Sequence, residues 1–248
     1  MAEESLPSSV ATSWHHYPKI DSLSAVGTTG SSDNSQLELS CPMCGVRAGT
    51  EGAAFWNRPL IESPSFFVVP SLGSLLEGWL LIVPRCHFLS AAAMPADLVR
   101  ELEQLKRRVH QALHSAYGTV CFFEHGPAAQ KSATGCGVDH AHVHALPVPE
   151  AVLKLTEAYL PPGATFSGGT LKGCREAIDS GYDYLYFEGP TVGRQIAVSS
   201  GFSSQTFRRA VAQHLGRPGN YDWRANQNLD LVRATIERLT PAFAWQRP

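Results

Sequence analysis

The chain has 248 residues, a formal net charge of −2 and acidic and basic residues interspersed, enough for one ordinary domain with additions and a sizeable core. That balance carries no electrostatic footprint for duplex nucleic acid, and no apolar run reaches the roughly 18 residues of a membrane span. The opening Met1-Ala2-Glu3-Glu4 is acidic, unlike a secretory signal, and without an export signal the six cysteines read as free thiols or metal ligands, so a cytoplasmic chain is expected.

Residues 1–36 are rich in Ser, Thr, Gly and Asp without a sustained period, and they predict a flexible N-terminal tail. Within it, Trp14-His15-His16-Tyr17 is a candidate for docking on the body or on a partner subunit. Cys41-Pro42-Met43-Cys44-Gly45 follows, a C-x-x-C spacing in which a knuckle turn can aim both thiolates at one centre. Alone it is half a zinc site, and a redox pair or an incidental pair remains open. The other thiols, Cys86, Cys121, Cys136 and Cys174, are single.

Ser65–Pro70 is β-branched and aromatic, and Gly78–Pro84 is nearly all apolar, so both predict strands, the second covered on both faces. Phe55, Trp56 and Phe67 are candidates for stacking on a planar ligand or for core packing. Pro95-Ala96-Asp97 opens a helix, and Leu98, Leu102, Leu105, Val109 and Leu113 form its apolar stripe. Lys106, Arg107 and Arg108 are expected mostly in water, and Gly118 ends the helix. Thr119–Glu124 predicts a third strand broken by Glu124-His125-Gly126-Pro127, and residues 126–138 form a loop.

Asp139-His140-Ala141-His142-Val143-His144-Ala145-Leu146-Pro147 is the stretch on which function turns. The alternation predicts a half-buried strand with His140, His142 and His144 on one face, about 6.5 to 7 Å apart in succession. Ala141, Val143 and Ala145 then enter the core. Such a row suits nucleophilic attack on phosphorus: a neutral imidazole with its proton held on Nδ1, commonly by a backbone carbonyl, has Nε2 free to form a phosphohistidine. His142, flanked on both sides, is the natural nucleophile. Gly135 and Gly137 let main-chain N–H groups approach an anion, and His125 is a further acid or phosphate contact. A metal site made of all three histidines is the rival reading. Asp139 either orients an imidazole or faces solvent.

His140-Ala141-His142-Val143-His144-Ala145-Leu146 resembles the His-φ-His-φ-His-φ-φ signature of the histidine triad superfamily of nucleotide hydrolases and transferases. Ser65–Pro70, Gly78–Arg85 and His87 also resemble its two central strands and the segment closing the second, so the likeness spans roughly 39 to 150. It implies a homodimeric α+β fold with an antiparallel sheet and a flanking helix. It also implies a nucleotide or nucleotide-conjugate substrate and a covalent nucleotidyl intermediate on His142, with His144 and His140 beside it. Phe67, Gly135, Gly137 and His125 are the substrate-binding candidates. The zinc-bearing branch implies a closed structural zinc on Cys41, Cys44, His87 and His140. Many family hydrolases carry Gln-Ser where this chain has Cys136-Gly137, so a side-chain phosphate contact is missing or supplied elsewhere. His144, rather than a glutamine, favours hydrolysis over sugar-phosphate exchange.

Residues 37–150 are thus expected to form a triad-like catalytic domain, with 151–248 as a C-terminal α/β extension packed on it. In that extension Ala151–Tyr159 and Cys174–Ile178 predict helices, Tyr182–Glu188 and Gln195–Val198 a hairpin, and Ser203–Leu215 a helix. It resembles, more weakly, the extension in RNA lariat-debranching-associated proteins. Arg208, Arg209 and Arg224 are open to phosphate contacts or to surface ion pairs. Alongside the hydrolase, two other readings stand: a nucleotidyltransferase or phosphorylase of a specialised biosynthetic pathway, and a non-catalytic nucleotide-binding module.

Overall fold

The computed structural model describes residues 41–48 and 54–244. The predicted tail and its Trp14-His15-His16-Tyr17 segment lie outside them. Among the described residues an eight-stranded sheet forms the centre: β1 (Ile61–Glu62), β2 (Phe66–Pro70), β3 (Leu80–Pro84), β4 (Cys121–Gly126), β5 (Val143–Leu146), β6 (Ser167–Gly168), β7 (Asp183–Gly189) and β8 (Gly193–Ser199). Their order is β1-β2-β3-β5-β4-β7-β8-β6, and every neighbouring pair is antiparallel. The helices are α1 (Pro42–Ala48), α2 (Ala96–Tyr117), α3 (Ala151–Glu157), α4 (Leu171–Asp179), α5 (Thr206–His214) and α6 (Leu229–Ala244). The fold is α+β, as expected.

The period-two alternation of the strands sends successive side chains to opposite faces. Val68, Ile82, Val143 and Ala145 join Leu102, Leu105, Val109 and Leu113 of α2 and Leu239 and Phe243 of α6. On the other face, Trp79, Phe123, Leu185 and Phe187 meet Val152 of α3 and Phe207 and Val211 of α5. Phe67, Val69, Leu81 and Val83 lie under Met43 and Val46 of α1. Val143 and Ala145 therefore anchor on α2, and His144 turns to the α5 face.

Helix α2 follows its sequence signals: Pro95 precedes it, and Gly118 ends it with a φ of +89° that side chains rarely adopt. Lys106 departs from the expectation. It is buried, pairing with Glu188 at 2.5 Å and Glu103 at 3.2 Å, because the C-terminal region closes over that side of the helix. Three further differences have local causes. The triad strand starts only at Val143, because the stretch before it is diverted, the amide of Ala141 bonding the carbonyl of Phe88 at 2.6 Å. His125 and Gly126 continue β4 rather than breaking it, held by register to Leu185 and Tyr184. Cys41-Pro42-Met43-Cys44 is not a knuckle turn but the first turn of a helix, closed by Gly45 N–H to Cys41 O at 3.0 Å.

The C-terminal region joins the same sheet. β7 pairs with β4 over five residues, from Phe122↔Glu188 to Gly126↔Tyr184, and β8 and β6 extend it further. Glu124 is the buried polar link across this seam. Its carboxylate accepts from the Ala91 amide at 2.6 Å and from the Tyr184 hydroxyl at 2.5 Å. Burial raises its pKa from 4.5 to about 7, the two hydrogen bonds opposing that rise.

A raised carboxyl pKa stabilises the fold most below the unfolded value and loses that contribution as pH climbs. Between pH 4.5 and 7, the stability of the wild-type chain relative to Glu124→Gln should therefore fall. The expected fall is at most about 3 kcal/mol, at roughly 1.4 kcal/mol per unit. Urea denaturation of both proteins across that range measures it, and parallel curves would contradict it.

Candidate active site and metal centre

Two polar constellations share the residue His140. Its ring faces the C-x-x-C segment: His140 Nδ1 lies 3.3 Å from Cys41 Sγ and 3.6 Å from Cys44 Sγ, and His87 Nδ1 lies 3.5 Å from Cys44 Sγ. All four donor atoms fall within 4.8 Å of one another, a set that can hold a metal ion. The far nitrogen of His140 sits 2.9 Å from the carbonyl of Pro84. Donating its proton there leaves Nδ1 unprotonated toward the thiols, as a metal-ligating imidazole requires. The helical turn of α1 brings Cys41 and Cys44 to the two histidines, and the end of β3 positions His87. The donor chemistry fits a tetrahedral Cys2His2 ion.

The main chain of His140 serves the second constellation. His142 Nδ1 donates to the carbonyl of His140 at 2.7 Å, so its proton is fixed there and Nε2 keeps a free lone pair. Burial lowers the His142 pKa, the carbonyl contact opposes this, and the Arg208 guanidinium adds to the lowering. His144 holds the reverse tautomer. Trp79 Nε1–H donates to His144 Nδ1 at 2.9 Å, which places the His144 proton on Nε2. That Nε2 is buried and has no partner among the described residues. Burial first, with the neighbouring His142, His125 and Arg208 acting in the same direction, holds His144 well below the ordinary histidine value. The two rings lie 4.9 Å apart, centroid to centroid. The site thus pairs a lone-pair nitrogen with a neutral N–H donor.

Both imidazoles line a cavity of 180 Å³. Much of its wall is apolar or aromatic (Met43, Val46, Trp56, Val69, Leu81, Trp223), and its polar members include Arg208 and Asn57 beside the histidines. Such a lining accepts a flat apolar group and a charged one in the same ligand. A second hollow, lined by Cys41, His87, Lys131, Gly137, Asp139 and Arg224, shares Pro42 and Val138 with the first.

The remaining sequence candidates are placed as follows. Phe67 is 1% exposed and packs beneath α1 rather than lining the cavity, whereas Trp56 does line it. His125 lies behind His144, its Nε2 accepting the Phe207 amide at 3.2 Å and its Nδ1 buried without a partner among the described residues. Burial drives its pKa to about 3, so it stays neutral. The amide of Gly135 is spent on Ser132 O at 3.2 Å. Gly137 has a φ of +76° and a side chain there would collide with Arg224. Asp139 accepts the Lys131 amide at 2.9 Å and braces the loop. The three-histidine metal reading fails because the His140 ring turns to the thiols while His142 and His144 turn to the cavity.

Sequence reasoning missed three residues. Trp79 was counted only as a strand apolar, yet its indole N–H selects the His144 tautomer. Asp183 anchors the loop, accepting from the Ala128 amide at 2.8 Å and from the hydroxyls of Ser132 and Thr134 at 2.6 and 2.7 Å. Trp223 lines the cavity from the C-terminal region. An aromatic with a polar atom in a central strand is the signal that could have exposed Trp79; nothing local marks Asp183.

Residues 61–161 match the family model described as "Protein similar to CwfJ C-terminal". No curated protein matches the sequence. Among solved structures, the chain is similar to a Hit-like protein involved in cell-cycle regulation from Bartonella henselae, with 12% identity, 45% of this chain and 77% of that one covered, and a TM-score of 0.37. It is similar to a Zn-bound histidine triad family protein from Mycobacterium smegmatis, with 20% identity, coverages of 46% and 78%, and a TM-score of 0.36. A histidine triad nucleotide-binding protein from Sulfolobus tokodaii gives 21% identity, coverages of 44% and 70%, and a TM-score of 0.34.

The opposite tautomers are directly observable. Long-range proton–nitrogen correlation spectra should show His142 protonated on Nδ1 and His144 on Nε2. In Trp79→Phe the His144 pattern should become mixed while that of His142 persists. A common tautomer for both rings in the wild-type chain would contradict the arrangement.

Proposed function

We propose that this chain is a histidine triad enzyme acting on a nucleotide or nucleotide conjugate. The observation that carries the reading is the His142 Nδ1–H bond to the His140 carbonyl, which leaves Nε2 bare at a cavity wall beside an unpartnered N–H of His144. In the proposed first step the Nε2 lone pair attacks the α-phosphorus. A P–N bond forms, the bond to the leaving group breaks, and the leaving group departs with the electron pair and takes a proton from solvent. Water then attacks the same phosphorus, gives up a proton to solvent, breaks P–N and releases the nucleoside monophosphate, regenerating Nε2; another acceptor would carry the nucleotidyl group away instead. His144 Nε2–H donates to a phosphoryl oxygen as charge builds there. Trp56 and the apolar wall receive the base.

The Cys41, Cys44, His87 and His140 set belongs to the same proposal as a structural zinc site. With all four positions taken by protein, such an ion supplies no reactive water and acts by rigidity. It would tie α1, the end of β3 and the residue whose carbonyl orients His142. The homodimer implied by the triad resemblance is part of this reading, and light scattering of the purified chain checks it.

One observation favours a second reading, a nucleotide-binding module without turnover. Cys136, where a side-chain phosphate contact is expected, holds a buried thiol whose pKa burial raises to about 12, so it offers neither charge nor a strong donor.

Fluorogenic adenosine phosphoramidate, dinucleoside polyphosphates and nucleotide sugars form the substrate panel. Wild-type chain should turn over at least one of them, and His142→Ala should lose at least about 1,000-fold of that rate, as removal of a covalent nucleophile does. A labelled phosphohistidine trapped by rapid quench would exclude the binding-only reading; equal turnover by the variant would remove His142 as nucleophile.

Elemental analysis of protein purified without chelator should give about one zinc per chain. Cys44→Ser should lose it together with several degrees of melting temperature. An unchanged melting temperature in metal-free wild-type protein would exclude a structural ion.

A further inference from the structure

Arg208 differs from the other arginines of the C-terminal region. It sits on α5, is 2% exposed, and forms no ion pair among the described residues. Its Nε donates to the carbonyl of Tyr221 at 2.8 Å and its Nη2 to the carbonyl of Gly73. Those contacts use two of the five N–H groups of a guanidinium. The group lies 4.7 Å from the Trp79 ring centre and lines the cavity that holds His142 and His144. Burial lowers its pKa to about 10, which still leaves it charged at neutral pH.

Two neutral carbonyls can be bridged by a neutral donor, so they do not call for a buried cation. A cation taken out of water without a counter-ion is costly unless an anion meets it. Asp222, the acid that acts on it electrostatically, is paired with Arg224 at 3.9 Å. Neither imidazole meets the charge of an incoming anion: His142 spends its one N–H on His140, and His144 stays neutral because its Nδ1 accepts from Trp79. The guanidinium fork, tied at one edge by carbonyls, suits a tetrahedral oxyanion.

We infer that Arg208 is the cationic contact for the phosphoryl group bound beside His142, so the C-terminal region supplies the phosphate charge partner for a site whose histidines lie in the preceding segment. The inference rests on the nucleotide reading of that cavity. It does not depend on turnover.

The test titrates the four nucleoside 5′-monophosphates and their nucleosides into wild-type chain, Arg208→Lys and Arg208→Gln by calorimetry. Arg208→Gln should bind the preferred monophosphate about 10- to 100-fold more weakly, the scale of one hydrogen bond to a charged group, with Arg208→Lys between the two. Nucleoside affinity should hardly change, which a merely structural role would not allow. Equal losses for nucleoside and monophosphate, or a wild-type chain that prefers no monophosphate to its nucleoside, would overturn the assignment. Because the residue is buried, wild-type crystals soaked in sodium tungstate provide a route that needs no variant. Tungsten should lie within hydrogen-bond reach of Arg208, and tungsten only elsewhere would overturn it. Retained monophosphate discrimination with no phosphohistidine would remove the transfer chemistry and leave Arg208 in place. Normal turnover with unchanged Arg208→Gln affinities would remove Arg208 alone.

Discussion

The hydrogen bond from His142 Nδ1 to the carbonyl of His140 is the constraint on which the site depends. An imidazole has two nitrogens and, when neutral, one proton, so fixing the proton on one nitrogen decides what the other can do. The bond spans two residues of one chain segment, and its geometry is set by where His140 is held. That residue is held three ways: its ring among Cys41, Cys44 and His87, its far nitrogen against Pro84, and its place beside β3 by the neighbouring Ala141 amide on Phe88. The Cys2His2 cluster and the cavity are therefore one mechanical unit. Displacing the ring of His140 moves the carbonyl that orients His142.

His144 is held by a different device. Its partner is an indole, which can donate and cannot accept, so the tautomer does not depend on pH or on a mobile hydroxyl. Burial makes protonation of that ring unfavourable, in the same direction as the indole contact. The result is an N–H donor next to a lone-pair acceptor. A site built this way has directional hydrogen bonds, and burial opposes positive charge on both rings. A guanidinium carries charge more readily there, and Arg208 lies over the same Trp79 that orients His144.

What the sequence made legible follows from the range of the signals. Alternation and capping act within a few residues, so β2, β3, α2, the β7–β8 hairpin and the inward turn of Ala141, Val143 and Ala145 could be read from the chain. The tautomer of His142 was accessible too, because its partner is two residues away. The four cluster residues came from resemblance, and the closeness of their donor atoms agrees with it. What could not be read depends on separations of many tens of residues. Asp183 lies 49 residues from Thr134, Trp79 lies 65 from His144, and Lys106 lies 82 from Glu188. Helix α6 is a different case: Val232, Thr235, Leu239 and Phe243 recur at helical spacing, so its signal is local, and Pro241 interrupts only the last turn.

The way the sheet is extended explains how the C-terminal region reaches the histidine-bearing face. β4 and β5 are neighbours, and Phe123 of β4 stacks on His144 of β5 with centroids 4.3 Å apart. If the sheet ended at β4, the far side of this strand would be an open edge with unpaired backbone groups. β7 closes that edge, and Phe187, placed opposite Phe123, packs with Phe207 of α5 on the histidine-bearing face. α5 is seated by Phe207, which lies 4.6 Å from Phe123 and whose amide reaches His125, so the next residue, Arg208, falls over Trp79. The added strands thus carry a helix to the one face where the triad leaves a gap in charge. Sealing the edge and completing the cavity are two consequences of the same pairing.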